Sequence, residues 1–238
     1  MTNLQTWVND NWNPLQEGYR VQSLSTEAIE SIGESINSEE IVGVAVGSNI
    51  TYDPKTVNTF ALEHDPNLIY PDNYEYNIRT YIEGDDCWFD QDCDILHYES
   101  HILNKLPLGL EVESFIEVQY RWVELPDGTK ASVGRRWMQE PAIANVDWVD
   151  IRQEYAIMTV IPTDNGQSRM VDVDWLILFL GELPMPEDIL NGKVKKLNTK
   201  EISAMYTLIT SMCYELKDEC EKAQKSKKLD AWHKQADA

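Results

Sequence analysis

Phe115-Ile-Glu-Val-Gln-Tyr-Arg-Trp-Val-Glu-Leu-Pro-Asp-Gly-Thr-Lys-Ala-Ser-Val-Gly-Arg-Arg-Trp-Met138 reads as a β-hairpin. Pro126 presets the first turn dihedral, and Gly128 suits the left-handed position of a bulged turn. Pairing Leu125 with Thr129 sets Trp122 opposite Ser132, Tyr120 opposite Gly134, Val118 opposite Arg136 and Ile116 opposite Met138. Directly opposed residues share a face. That face is apolar with one arginine embedded in it. The other carries Glu117, Gln119, Arg121 and Arg135 and suits water.

Asn165-Gly166 marks a second tight turn. Pairing Asp164 with Gln167 places Val160 opposite Val171, Met158 opposite Val173, Ala156 opposite Trp175, Glu154 opposite Ile177 and Arg152 opposite Phe179. This face is again apolar, with Glu154 and Arg152 embedded. The opposite face mixes Thr159, Tyr155, Asp172 and Asp174 with Ile157 and Leu176. A slip of one residue would exchange the two faces.

The strands run from about residue 93 to 180, and the C-terminal segment beyond them supplies a cover. Pro186 to Gln224 reads as one long amphipathic helix with a possible break at Asn198–Thr199. Ile202, Met205, Ile209, Met212, Cys213, Leu216 and Cys220 recur at three- and four-residue spacing. So wide an apolar stripe requires burial. The expected architecture is α+β: a curved antiparallel sheet wrapped around the C-terminal helix, with a cavity between them.

The 238-residue chain is 42% apolar, with eight Trp and eleven Tyr, enough for a sizeable core. Its 41 acidic and 20 basic residues give a net charge of −21, which argues against binding nucleic acid or anionic membranes by charge. No stretch is long and apolar enough to span a bilayer, and the first dozen residues lack a signal-peptide pattern. The four cysteines do not form a disulfide-framework pattern, so reduced thiols and a cytoplasmic location are expected.

Along the chain, residues 1–40 form an N-terminal extension holding Trp7 and Trp12, with a helix from Ser25 to Ile36. Ile41 to Ile50 alternates as a strand, and Asp53-Pro54 opens a short helix, Lys55 to Glu63. His64 to Asn77 reads as loop. The carboxylate-rich segment 83–94 lacks the ligand spacing of a calcium loop and reads as a solvated acidic turn. His97, Glu99 and His101 alternate onto one strand face. They are either a metal set or the wet side of a strand, and alternation alone produces the second. No metal and no cofactor is assigned. The main domain spans 41–225, and 226–238 is a polar tail. Lys222, Lys225, Lys227 and Lys228 put a small basic cluster near that end.

Several segments carry a resemblance. Asp94-Ile-Leu-His-Tyr-Glu99, Lys105-Leu-Pro-Leu-Gly-Leu110 and the strand from Phe115 to Glu124 resemble the middle of START-type lipid-binding domains. Val146-Asp-Trp-Val-Asp-Ile-Arg-Gln-Glu-Tyr155, Ile161-Pro162 and Ser168-Arg169 resemble that family's consecutive strands. Gly181-Glu-Leu-Pro-Met-Pro-Glu-Asp-Ile-Leu-Asn191 is similar to its lead into the closing helix. The resemblance, to the START/SRPBCC (birch-pollen-allergen-like) superfamily, covers about residues 40–225. It implies a helix-grip fold and ligands such as lipids, sterols or polyketides. The first 40 residues exceed the family's minimal domain.

The leading expectation is a binding or transfer protein for a hydrophobic small molecule. Val118, Trp122, Met138, Ala156, Met158, Val173, Trp175, Ile177, Met205 and Ile209 would line its cavity. The alternative is a polyketide- or polyene-type cyclase that works largely by folding its substrate. There Glu154 and Arg136 would serve as acid–base and oxyanion groups, with Tyr120 beside them. A third reading is an interaction module that meets a basic protein through its acidic surface. The sequence leaves ligand identity and oligomeric state open.

Overall fold

The computed structural model describes residues 2–21, 24–31, 41–62, 74–106, 109–163 and 166–180. The closing helix, with Met205 and Ile209, lies outside the described residues, as does the far end of the helix expected over Ser25–Ile36. The elements run in the order α1 (Thr2–Asp10), α2 (Trp12–Glu17), β1 (Tyr19–Val21), α3 (Thr26–Ser31), β2 (Ile41–Ile50), α4 (Pro54–Ala61), β3 (Tyr74–Glu83), β4 (Ile95–Leu106), β5 (Leu110–Glu124), β6 (Lys130–Met138), β7 (Ile143–Ala144), β8 (Val149–Thr163) and β9 (Gln167–Leu180). All nine strands join one antiparallel sheet in the order β1-β2-β9-β8-β6-β5-β4-β3, with β7 paired to β5. This large antiparallel sheet is that of the expected helix-grip class.

The first hairpin closes as its residues require. The Leu125 amide donates to the Thr129 carbonyl at 2.8 Å, and Gly128 sits at φ 82°. The Asp127 carboxylate accepts from the Thr129 amide at 3.0 Å, which fixes the turn. The ladder pairs Ile116, Val118, Tyr120 and Trp122 with Met138, Arg136, Gly134 and Ser132. A Cβ at Gly134 would collide with the Tyr120 ring, so glycine is what lets that ring lie flat across the sheet.

The second hairpin corrects the expected register. Its ladder closes at Thr163↔Gln167 rather than Asp164↔Gln167, with Gly166 at φ 70°. Val160 therefore pairs with Met170, Met158 with Asp172, Ala156 with Asp174 and Glu154 with Leu176. The single-residue slip exchanges the faces of β9. Asp172 and Asp174 join the apolar face, while Val173, Trp175 and Ile177 turn to the other side. A further register shift between Ile151 and Gln153 takes Arg152 out of the face altogether. Arg152 is exposed and pairs with Asp150 at 3.0 Å.

The apolar face holds a core of Trp88, Leu96, Tyr98, Ile116, Val118, Tyr120, Trp122 and Met138. Helix α4 covers one end of it. Asp53 caps that helix by accepting from the Thr56 amide at 3.1 Å, and Pro54 occupies the first turn. Asn58 and Ser132 exchange hydrogen bonds at 2.8 and 3.0 Å, tying α4 to β6. On the opposite face, Val8, Trp12 and Leu15 from α1 and α2 pack on Ala45, Val171 and Val173. Gly47 leaves the room that Trp12 and Leu15 fill, and Arg169 lies 4.4 Å over the Trp12 ring.

Two further expectations are corrected. Tyr74 to Asn77, read as loop, begins the strand β3. Cys87 and Cys93 are joined in a disulfide, with Cα atoms 5.5 Å apart, which overturns the expectation of four reduced thiols and removes that support for a cytoplasmic location. The bridge closes the acidic turn around Trp88, which is fully buried. The Trp88 carbonyl accepts from the Trp122 indole at 2.8 Å, and the two indoles stack 4.8 Å apart. Among the described residues, no helix is long and apolar enough to cross a membrane.

The register shift in β8 is stabilised by a side chain that imitates a strand. The buried Gln153 amide accepts from the Met138 N–H at 2.8 Å and donates to the Met138 carbonyl at 3.0 Å. Gln153→Ala leaves both backbone groups without these partners, and chemical denaturation is expected to show a loss of about 2 kcal/mol.

Candidate functional site

Three adjacent strands build a charged cluster on the apolar face. Arg136 on β6 lies directly opposite Ala156 on β8, whose partner on β9 is Asp174. Ala156 is fully buried and small, so the arginine reaches across it. Its Nη2 donates to the Asp174 Oδ1 at 2.8 Å and to the Glu154 Oε1 at 2.7 Å. Asp174 is nearly inaccessible, with 4% of its side chain exposed, whereas Arg136 and Glu154 keep 23% and 24%. Solvent therefore reaches Arg136 and Glu154 but hardly Asp174.

Burial holds the Asp174 carboxyl well above the usual aspartate range, and the nearby charge of Asp172 adds to it. Arg136 works in the opposite direction. Tyr120, opposite Gly134, donates its hydroxyl to the Met158 sulfur at 3.2 Å. Burial pushes its phenol far up, so it stays protonated at neutral pH. Tyr74 is likewise raised by burial, bonds Asn77, and senses the charges of both Arg136 and Glu154. Arg79, on β3 with Tyr74, lies 5.3 Å over the Tyr98 ring.

The structure thus brings together Glu154 and Arg136, and places Tyr120, Val118, Trp122, Met138, Ala156 and Met158 on the same face. It does not bring Val173, Trp175 or Ile177 there. Val173 packs beneath α1 and α2, Ile177 buries against Ile29 of α3, and Trp175 touches both groups. Asp174, Tyr74 and Asn77 are the functional candidates that sequence reasoning missed. A signal for Asp174 did exist. Thr163 to Gln167 repeats the spacing of Leu125 to Thr129, with glycine in the fourth position, and applying the first hairpin's closure to the second yields the correct register.

His97, Glu99 and His101 do share a face, the outer one, but each has a different partner. His97 meets Glu117 at 3.0 Å, His101 meets Glu113 at 2.6 Å, and Glu99 accepts from Gln139 at 2.8 Å. The Tyr76 hydroxyl also donates to Glu113, at 2.7 Å. Among the described residues, no group of His, Cys, Asp and Glu is arranged to hold a metal ion.

No family model and no curated protein sequence matches the chain. Solved structures do. Human STARD10 matches at 9% identity and a TM-score of 0.41, covering 90% of this chain and 86% of its own. The Zhui aromatase/cyclase from Streptomyces sp. R1128 matches at 12% identity and a TM-score of 0.44, covering 77% and 95%. The lipid transfer and protein localization domain of human StarD13 matches at 12% identity and a TM-score of 0.38, covering 76% and 84%. What those proteins bind or catalyse is a property of theirs.

Arg136→Met leaves the buried Asp174 without its guanidinium and is expected to cost about 3 kcal/mol, part of which Asp174→Asn restores in the double variant. The raised Asp174 carboxyl also sets a pH dependence. The folded state holds this proton more tightly than the unfolded one, so its contribution is complete below the ordinary value of 3.8 and fades as pH rises toward the raised value. Denaturation across that window should show stability falling with pH in the parent, and a flatter profile in Asp174→Asn.

Proposed function

We propose that this protein binds a hydrophobic small molecule against the apolar face of its sheet and serves as a carrier for it. The observation that carries the reading is the Arg136–Glu154–Asp174 cluster, set among apolar side chains with two of its three members still reached by solvent. Charges on a face that only fills a core are costly. Charges at the mouth of an apolar recess orient a ligand whose body lies on Val118, Met138 and Met158. The resemblance of the sequence to START-type lipid-binding domains supports the same reading.

A cyclase would use the same face, with Glu154 and Arg136 in the acid–base and oxyanion roles. The binding reading requires no proton relay. The Tyr120 hydroxyl donates to the Met158 sulfur and burial raises its phenol, so in such a site it would serve as a hydrogen-bond donor and not as a base. A non-covalent small-molecule partner, with neither nucleic acid nor inserted membrane, completes the proposal.

Native mass spectrometry of the protein from a producing host should show an adduct of a few hundred daltons that disappears on denaturation. Met158→Trp, which fills the recess, should remove it. A bare mass that persists after incubation with mixed lipids and polyketide-like compounds overturns the reading.

A further inference from the structure

The turn between β3 and β4 reaches over the apolar face and seats one side chain on it. Trp88, fully buried, stacks on Trp122 at 4.8 Å and lies 5.7 Å from the Tyr120 ring. Tyr120 in turn bonds Met158, so Trp88 sits one ring away from the surface assigned to the ligand. Two features of the turn work against its closure. Residues 83–94 hold six carboxylates, Glu83, Asp85, Asp86, Asp90, Asp92 and Asp94, and no cationic side chain, so the carboxylates repel one another. Gln91 stands at φ 65°, a left-handed conformation that a side chain disfavours. Lys55 pairs with Asp90 at 2.9 Å, the Lys130 ammonium donates to the Gln91 carbonyl at 3.1 Å, and Asp85 has a further interaction of its own, which together offset part of this. The Cys87–Cys93 bridge ties the flanks of Trp88 covalently, and both cysteines are half-buried, within reach of a thiol.

We propose that the Cys87–Cys93 bridge is a redox latch on the recess. With the bridge intact, Trp88 stays seated and ligand exchanges slowly; with it reduced, the turn opens and exchange becomes fast. The inference rests on the carrier reading above and names a regulation of that site. The reductant is a dithiol. Its thiolate attacks one sulfur of the bridge, the S–S bond breaks and a mixed disulfide forms. The second thiol of the reagent then displaces the protein, so that two electrons and two protons pass to Cys87 and Cys93 and the reagent leaves as a cyclic disulfide. Burial of Trp88 still favours the closed turn after reduction, so the open form stays a minor one. A minor open form speeds entry and exit alike and leaves the affinity nearly unchanged.

The test follows Nile red on the full chain by stopped-flow fluorescence, before and after dithiothreitol. Mixing reads entry, and displacement by excess dodecanol reads exit. The mass gained on alkylation verifies that the bridge is open. The expected result is a rise of at least about ten-fold in both rate constants, within what the release of so short a loop allows, with the dissociation constant kept within roughly two-fold. The double variant Cys87→Ser/Cys93→Ser should exchange fast with or without the reagent, which separates this bridge from Cys213 and Cys220. If that variant fails to fold, the reduced parent decides alone. Unchanged rates in the reduced protein, weaker affinity without faster entry, or a response to the reagent that persists in the double variant overturns the inference and leaves the carrier reading standing. If Nile red and dodecanol bind in neither redox state, the carrier reading falls and takes the inference with it.

Discussion

A guanidinium held between two carboxylates over a small residue is the arrangement on which the apolar face depends. Arg136, Glu154 and Asp174 come from three neighbouring strands, and only one registry of those strands lets them meet. Ala156 is what permits the reach, since any larger side chain between Arg136 and Asp174 would fill the path. The ion triad and the ladder therefore specify one another. Shifting β9 by one residue would take Asp174 off the face, leave Arg136 with Glu154 alone, and bring Val173 and Trp175 inward. A buried ionic group is weak evidence for stability, but it is effective at separating one register from its neighbour.

How much of this was legible in the residues depends on the range over which each signal acts. Leu125-Pro-Asp-Gly-Thr129 names its own turn, because proline and glycine restrict the backbone locally and Asp127 adds a side-chain bond. Four cross-strand pairs came correctly from it. Asn165-Gly166 is equally strong as a turn marker but ambiguous about how many residues the turn holds. Since strands alternate with period two, an error of one there inverted a whole strand, and with it the placement of Val173, Trp175 and Ile177. Strand β3 was hidden for another reason. As an edge strand it leaves Ile78 and Ile82 exposed and buries Asn77, the reverse of the pattern that marks a strand. The Cys87–Cys93 bridge escaped because spacing on one chain segment does not show which thiols the fold brings together.

The two faces of the sheet handle charge in different ways. The outer face near β3, β4 and β5 spreads it in exposed pairs, such as Lys105–Glu75. Water screens these, and each contributes little. The covered face concentrates a few charges where screening is weak, so each one there affects stability, specificity and pH response together. The alternation that made His97, Glu99 and His101 look like a ligand set is that of a wet strand face. The informative polar residues are those that alternation predicts should have been apolar.

The paired indoles of Trp88 and Trp122 carry a last consequence. Their rings lie 4.8 Å apart and only 24° from parallel, with a hydrogen bond from one indole to the backbone of the other residue. Two identical chromophores that close share their excited states, and the resulting coupled circular dichroism depends steeply on their separation and mutual angle. The disulfide-closed turn presents one ring and the central sheet the other. The protein thus contains its own optical gauge of whether turn and sheet are in register, readable without any label.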